Sequence, residues 1–76
     1  MIERLKVGLD GLPKLKMQVY DSWFPCLPHQ LSVGDRVRVI EGQEVLGTYK
    51  VEALPIKKSD GHELLITKEP NEHPIS

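Results

Sequence analysis

Apolar and polar side chains alternate with a period of two over much of this chain, the spacing that puts one class on each face of a β-strand. Leu5, Val7 and Leu9 alternate with Arg4, Lys6 and Gly8, and after a break Leu15, Met17 and Val19 alternate with Lys14, Lys16 and Gln18. Asp10-Gly11 between these runs is a strong turn pair, so residues 2–20 are expected to form a hairpin with one lysine-rich face. Farther on, Val37 and Val39 oppose Arg36, Arg38 and Ile40, Tyr49, Val51 and Ala53 oppose Lys50 and Glu52, and Leu64 and Ile66 oppose Leu65 and Thr67. Turn residues at 32–35, 41–44 and 59–61 bound these runs, which predicts strands over 36–41, 48–54 and 63–68. Six glycines and six prolines leave no stretch of a dozen residues for an amphipathic helix.

An all-β chain too small for a two-sheet sandwich reads as a small single-domain barrel of about five strands, SH3-like or OB-like in type. Its core is expected to comprise Leu5, Val7, Leu15, Met17, Val19, Val37, Val39, Tyr49, Val51, Leu64 and Ile66, each an apolar member of an alternating run. Residues 21–35 break the pattern and read as a long apolar loop that holds two prolines and the chain's only Trp and Phe. Exposed apolar groups in a loop need a cover. Trp23, Phe24 and Leu27 therefore either lie over one mouth of the barrel or dock into a neighbouring chain. The domain is expected to span 1–69, with 70–76 a loose C-terminal tail, since Glu69 to Ser76 has no core-forming pattern.

Length changes this picture in one respect. A 76-residue chain buries a small core, and packing against a partner is the readiest further support. Ten basic and eleven acidic residues give a net charge of −1, which supplies no bulk attraction to nucleic acid or to anionic membranes. The charge is uneven, basic over 1–20 and acidic over 41–76. Lys6, Lys14 and Lys16 fall on the lysine-rich hairpin face, either as phosphate contacts or as charges that discourage edge-to-edge strand pairing. Met1 to Gly8 is interrupted by Glu3, Arg4 and Lys6, so no secretory leader is expected, and no apolar run approaches the length of a membrane span.

Candidate chemistry is sparse. A single cysteine, Cys26, excludes an intramolecular disulfide and a four-cysteine zinc site. Cys26 and His29 have half the spacing of a metal site without a second pair, and no nucleophile elbow or phosphate-binding glycine loop occurs. No catalytic residue, metal, cofactor or small-molecule substrate is expected, and the chain does not read as an enzyme.

Residues 31–70 carry a more specific pattern. Gly34-Asp35-Arg36-Val37 enters a strand, Gly47-Thr48-Tyr49-Lys50-Val51 forms another with Pro55 following, and Asp60-Gly61 turns into a last apolar strand. In this order the motifs resemble the β-barrel half of the small head-completion, or head-to-tail connector and stopper, proteins of long-tailed bacteriophages. The resemblance implies a non-enzymatic structural subunit that forms a ring with copies of itself between portal or adaptor and tail proteins, close to the packaged DNA. It implies a place in the virion neck or, before assembly, in the host cytoplasm. Gly-Asp-x-Val before a strand is also similar to SH3-like modules of ribosomal and transcription proteins, which makes a nucleic-acid or ribonucleoprotein binding module the alternative.

Overall fold

The computed structural model describes residues 1–69, and the expected tail at 70–76 lies outside them. Seven strands form: β1 (Ile2–Gly8), β2 (Lys14–Val19), β3 (Ser22–Cys26), β4 (Arg36–Glu41), β5 (Glu44–Val51), β6 (Ile56–Lys58) and β7 (Gly61–Lys68). A single 3-10 turn, Pro28–Gln30, is the one helical segment among the described residues. Among the described residues no helix is long and apolar enough to cross a membrane.

All pairings are antiparallel, in the order β1-β7-β5-β4-β2-β3, with β6 added beside β7. The nearly all-β class follows the alternation, but the sheet is a compact seven-stranded one that is not closed. Two expectations need correction. Residues 2–20 are not a hairpin: β1 pairs with β7, Leu5 opposite Leu64 and Val7 opposite His62, while β2 pairs with β3 and β4. Asp10-Gly11 does turn the chain, with Gly11 N–H donating to the Gly8 carbonyl at 2.9 Å, but the turn redirects β2 away from β1. Nor is 21–35 a continuous loop. Ser22–Cys26 forms β3 through a two-residue connection, Tyr20-Asp21, in which Tyr20 takes the left-handed conformation at φ 57. Two-residue hairpins need such a residue because it matches the twist of the flanking strands.

Burial follows the alternation closely. Val7, Leu15, Val37, Val39, Val51, Leu64 and Ile66 form one buried cluster, with Leu5, Met17, Cys26 and Tyr49 packed partly against it. Val19, expected inside, is exposed, because it closes the β2–β3 hairpin beyond the core. Leu31 joins the core from the connection after the 3-10 turn, and Pro28 is buried beside it. The connection itself is pinned, since Gly34 N–H donates to the Val51 carbonyl at 2.8 Å and Ser32 N–H donates to Asp35 Oδ2 at 2.9 Å. No charged or polar residue is fully buried among the described residues, so apolar burial, at roughly 1.5–3 kcal/mol per large side chain, carries the fold.

The tightest backbone approach is between β1 and β7. Gly61 adopts φ +141 and faces Gly8, and a Cβ there would lie 2.0 Å from the Val7 carbonyl oxygen. At Gly11, φ +79, a Cβ would meet nothing within 4 Å. Gly61→Ala should therefore lower stability by about 3 kcal/mol or more, and Gly11→Ala by only about 1 to 2 kcal/mol. Equal shifts in the thermal midpoints of the two variants, followed by circular dichroism, would contradict the close β1–β7 contact.

Candidate functional site: the two faces of the β3 edge

Adjacent residues on a strand point to opposite faces, and β3 divides the aromatic pair accordingly. Phe24 lies opposite Met17 and shares the core-facing side with Cys26, while Trp23 lies opposite Gln18 on the outer face. Phe24 is 49% exposed and Leu27, just beyond the strand, 53%. Trp23 is half-buried, so Trp23, Phe24 and Leu27 do not form one continuous apolar surface. Phe24 and Leu27 lie at the open side of the sheet. Trp23 belongs to a different set of neighbours.

That open side is the seam between β1 and β3, the terminal strands of the sheet order. A mostly apolar cleft of about 670 Å³ lies there, with Val7 on one side, Leu15, Cys26 and Leu27 on another, Ile40 and Val45 from the β4–β5 hairpin, and Lys14 and Lys16 at its rim. The 3-10 turn packs against β7 and partly fills the gap, bringing the His29 and His62 rings to 6.4 Å. No group of three or more His, Cys, Asp or Glu residues is placed to hold a metal among the described residues. Cys26 sits in the cleft wall, and burial, with a smaller contribution from the Asp35 charge, pushes its thiol up to about 11. It is therefore a packing residue rather than a nucleophile at neutral pH.

The two open edges differ. A two-residue connection makes Val19 and Ser22 the hydrogen-bonded closing pair of the β2–β3 hairpin, so by alternation the backbone groups of Trp23 and Pro25 point to the free edge. Proline has no N–H, and the next outward N–H, that of Leu27, donates to Gln30 Oε1 at 2.8 Å. The β3 edge thus offers little for strand addition and presents side chains instead. On β1, Ile2, Arg4 and Lys6 carry the outward backbone groups, and Lys6 pairs with Asp60 across the β6–β7 turn.

The outer face gathers cations. Lys16 lies opposite Arg38, Arg38 opposite Thr48, and Arg36 opposite Lys50, with Lys14 one step further along β2. The Arg38 guanidinium stands 4.1 Å from the Trp23 ring centroid and that of Arg36 5.8 Å. The electron-rich ring face attracts both, at about 0.5–2 kcal/mol each. Arg36 also donates from Nη2 to Glu69 Oε1 at 2.7 Å and from Nη1 to Gln18 Oε1 at 2.7 Å. The Arg36 hydrogen bonds hold the Glu69 carboxyl below its ordinary range. Lys6, expected on the same hairpin face as Lys14 and Lys16, lies on β1 with three strands, β7, β5 and β4, between it and them. Sequence reasoning missed Arg36, Arg38 and Lys50 as companions of Lys14 and Lys16, because only the β2–β4–β5 pairing brings them together.

No protein-family model, curated protein or solved structure matches this chain.

Two expected outcomes follow from this geometry. Trp23→Ala should cost the isolated monomer about 2 kcal/mol, and Phe24→Ala less than about 1 kcal/mol, because only the tryptophan ring is packed beneath other groups. Chemical denaturation of the two variants measures the difference, and a larger loss in Phe24→Ala would contradict the assignment. For Cys26, the folded thiol keeps its proton above the pH near 9.0 at which the unfolded thiol ionises, so stability should fall as pH rises from about 9 to about 11. Cys26→Ala should flatten that decline. An equally steep decline in the variant would exclude Cys26 as its source.

Proposed function

We propose that this chain is a non-enzymatic assembly module, completed by contact with another protein chain through the seam of its unclosed sheet. The observation that carries this reading is the open side itself: Leu27 half exposed in the wall of an apolar cleft, and Phe24 half exposed on the edge strand that leads to it, in a domain whose buried core is small. A core of this size gains stability from covering such a surface, and large apolar side chains at the centre of an interface usually carry most of its energy. The proline-stiffened β3 edge has little conformational freedom to lose on binding.

The nature of the contact also supports assembly through side chains. Pro25 and the Leu27 to Gln30 hydrogen bond blunt the β3 edge against open-ended strand pairing, which would build filaments rather than a closed object. A heterologous contact, in which the seam of one copy meets a different surface of the next, closes into a ring when the rotation permits. This suits the head-to-tail connector proteins of long-tailed bacteriophages, which residues 31–70 resemble. In that setting the partners are other copies of this chain together with portal, adaptor and tail proteins, and the module belongs to the virion neck.

Sedimentation of the purified chain over a range of concentrations tests the reading. Self-association should appear in the parent chain and be lost in Phe24→Asp/Leu27→Asp, with the β spectrum and monomer stability retained because both side chains are half exposed. An interface centred on them should weaken by about 2 kcal/mol or more. A parent chain that stays monomeric, and that does not bind portal or tail protein, would overturn it.

A further inference from the structure

The topology removes one of the two explanations for the β2 lysines. Lysines protect a strand edge only where the edge is free, yet β2 lies inside the sheet with β3 on one side and β4 on the other. Lys14 and Lys16 therefore have no edge to protect. They join Arg36, Arg38 and Lys50 on one face of three neighbouring strands, within about 14 Å along the strands, taking roughly 3.4 Å per residue. Among the described residues Glu69 is the carboxylate bonded to this group, through Arg36, and no ion pair involves Lys14, Lys16, Arg38 or Lys50. Concentrating cations on one face of a chain with net charge −1 raises their mutual repulsion, which a polyanion relieves.

We propose that this outer face, whose Lys14 and Lys16 also reach the rim of the seam cleft, binds the phosphate backbone of duplex nucleic acid. The position of Trp23 selects the mode. Its ring lies beneath Arg38 rather than open to solvent, so it is not a platform for unstacked bases and not an apolar anchor for a membrane surface. It positions Arg36 and Arg38 instead, holding two guanidinium groups over the sheet where they are fixed before a ligand arrives. Guanidinium forks and flexible ammonium groups arrayed on a sheet suit phosphate oxygens, while no strand or helix projects from this face to read base edges in a groove. Binding on this account is sequence-independent.

Fluorescence anisotropy with a labelled mixed-sequence duplex, at rising salt, gives the test. Phosphate contacts from Lys14, Lys16, Arg38 and Lys50 imply a slope of about −3.6 for log affinity against log salt, so binding should weaken about 100-fold between roughly 50 and 200 mM salt. Lys14→Ala/Lys16→Ala should halve that slope, to about −1.8, with the β spectrum unchanged. Lys57→Ala/Lys58→Ala on β6, outside the cluster, should leave it as it was. Salt-insensitive binding, a slope untouched by the β2 double variant, or an equal loss in the β6 variant would overturn the proposal. So would tighter binding to a single-stranded oligonucleotide than to the duplex, or preferential binding to phosphatidylserine vesicles. Phe24→Ser/Leu27→Ser, which adds no charge beside Lys14 and Lys16, should keep the affinity of an equal concentration of monomer, which separates a failure of this face from a failure of the seam.

Discussion

Strand β7 is hydrogen-bonded along both edges, and the rest of the molecule depends on that. One edge takes β1 over seven consecutive residue pairs; the other is divided between β5, opposite Val51 to Tyr49, and β6, opposite Ile56 to Lys58. Leu64 and Ile66 on this strand are buried to 0% and 2% exposure, so β7 also supplies the centre of the core. Two of its partners, β1 and β5, come from the beginning and the middle of the chain, which makes most of the contacts of β7 long-range. Loops must close before these contacts form, so folding should be slow for a domain of this size. Gly61 permits the arrangement, because any side chain there would strike the backbone of β1.

Leaving β1 and β3 unpaired with each other has two consequences. The core stays small, with a cleft rather than a packed interior at the seam. The chain must also manage a free edge, and at β3 it does so by composition: Pro25 removes a donor and Gln30 satisfies another. What remains exposed there is side-chain surface, from Phe24 and Leu27. Alternation sends Trp23 to the opposite face, so one five-residue strand contributes to two surfaces of different chemistry.

Net charge conceals how the charges are arranged. Asp10, Asp21, Asp35 and Asp60 occupy turns and connections, and Glu41 and Glu44 flank the β4–β5 turn. Five of the ten cations, Lys14, Lys16, Arg36, Arg38 and Lys50, lie on the outer face of β2, β4 and β5. A near-zero sum over the whole chain is therefore compatible with a strongly cationic face, since the field near a surface is set by groups within about a Debye length of 8–10 Å. The arrangement gives the two proposed surfaces distinct chemistry, largely apolar at the seam and cationic on the sheet.

Periodicity by itself determined the β class, the span of β4 and the identity of the core residues on β4, β5 and β7, and on β2 all but Val19, which lies beyond the core. Each of those strands has one buried and one wet face, and burial of an alternating run leaves a direct trace in composition. β3 escaped because Pro25 and consecutive apolar residues erase the alternation at an edge strand, and β6 because three residues are too few to show a period. Strand partners were decided only in three dimensions. The turn at Asp10-Gly11 looks the same whether the following strand returns along β1 or leaves it, and the outcome rests on β7 offering β1 a longer apolar partner, Leu64 against Leu5. The cationic face depends on that same choice. Lys14 and Lys16 stand more than twenty residues from Arg38 in sequence, and only the pairing of β2 with β4, driven by burial of Leu15 against Val39 on the other side of the sheet, sets them side by side.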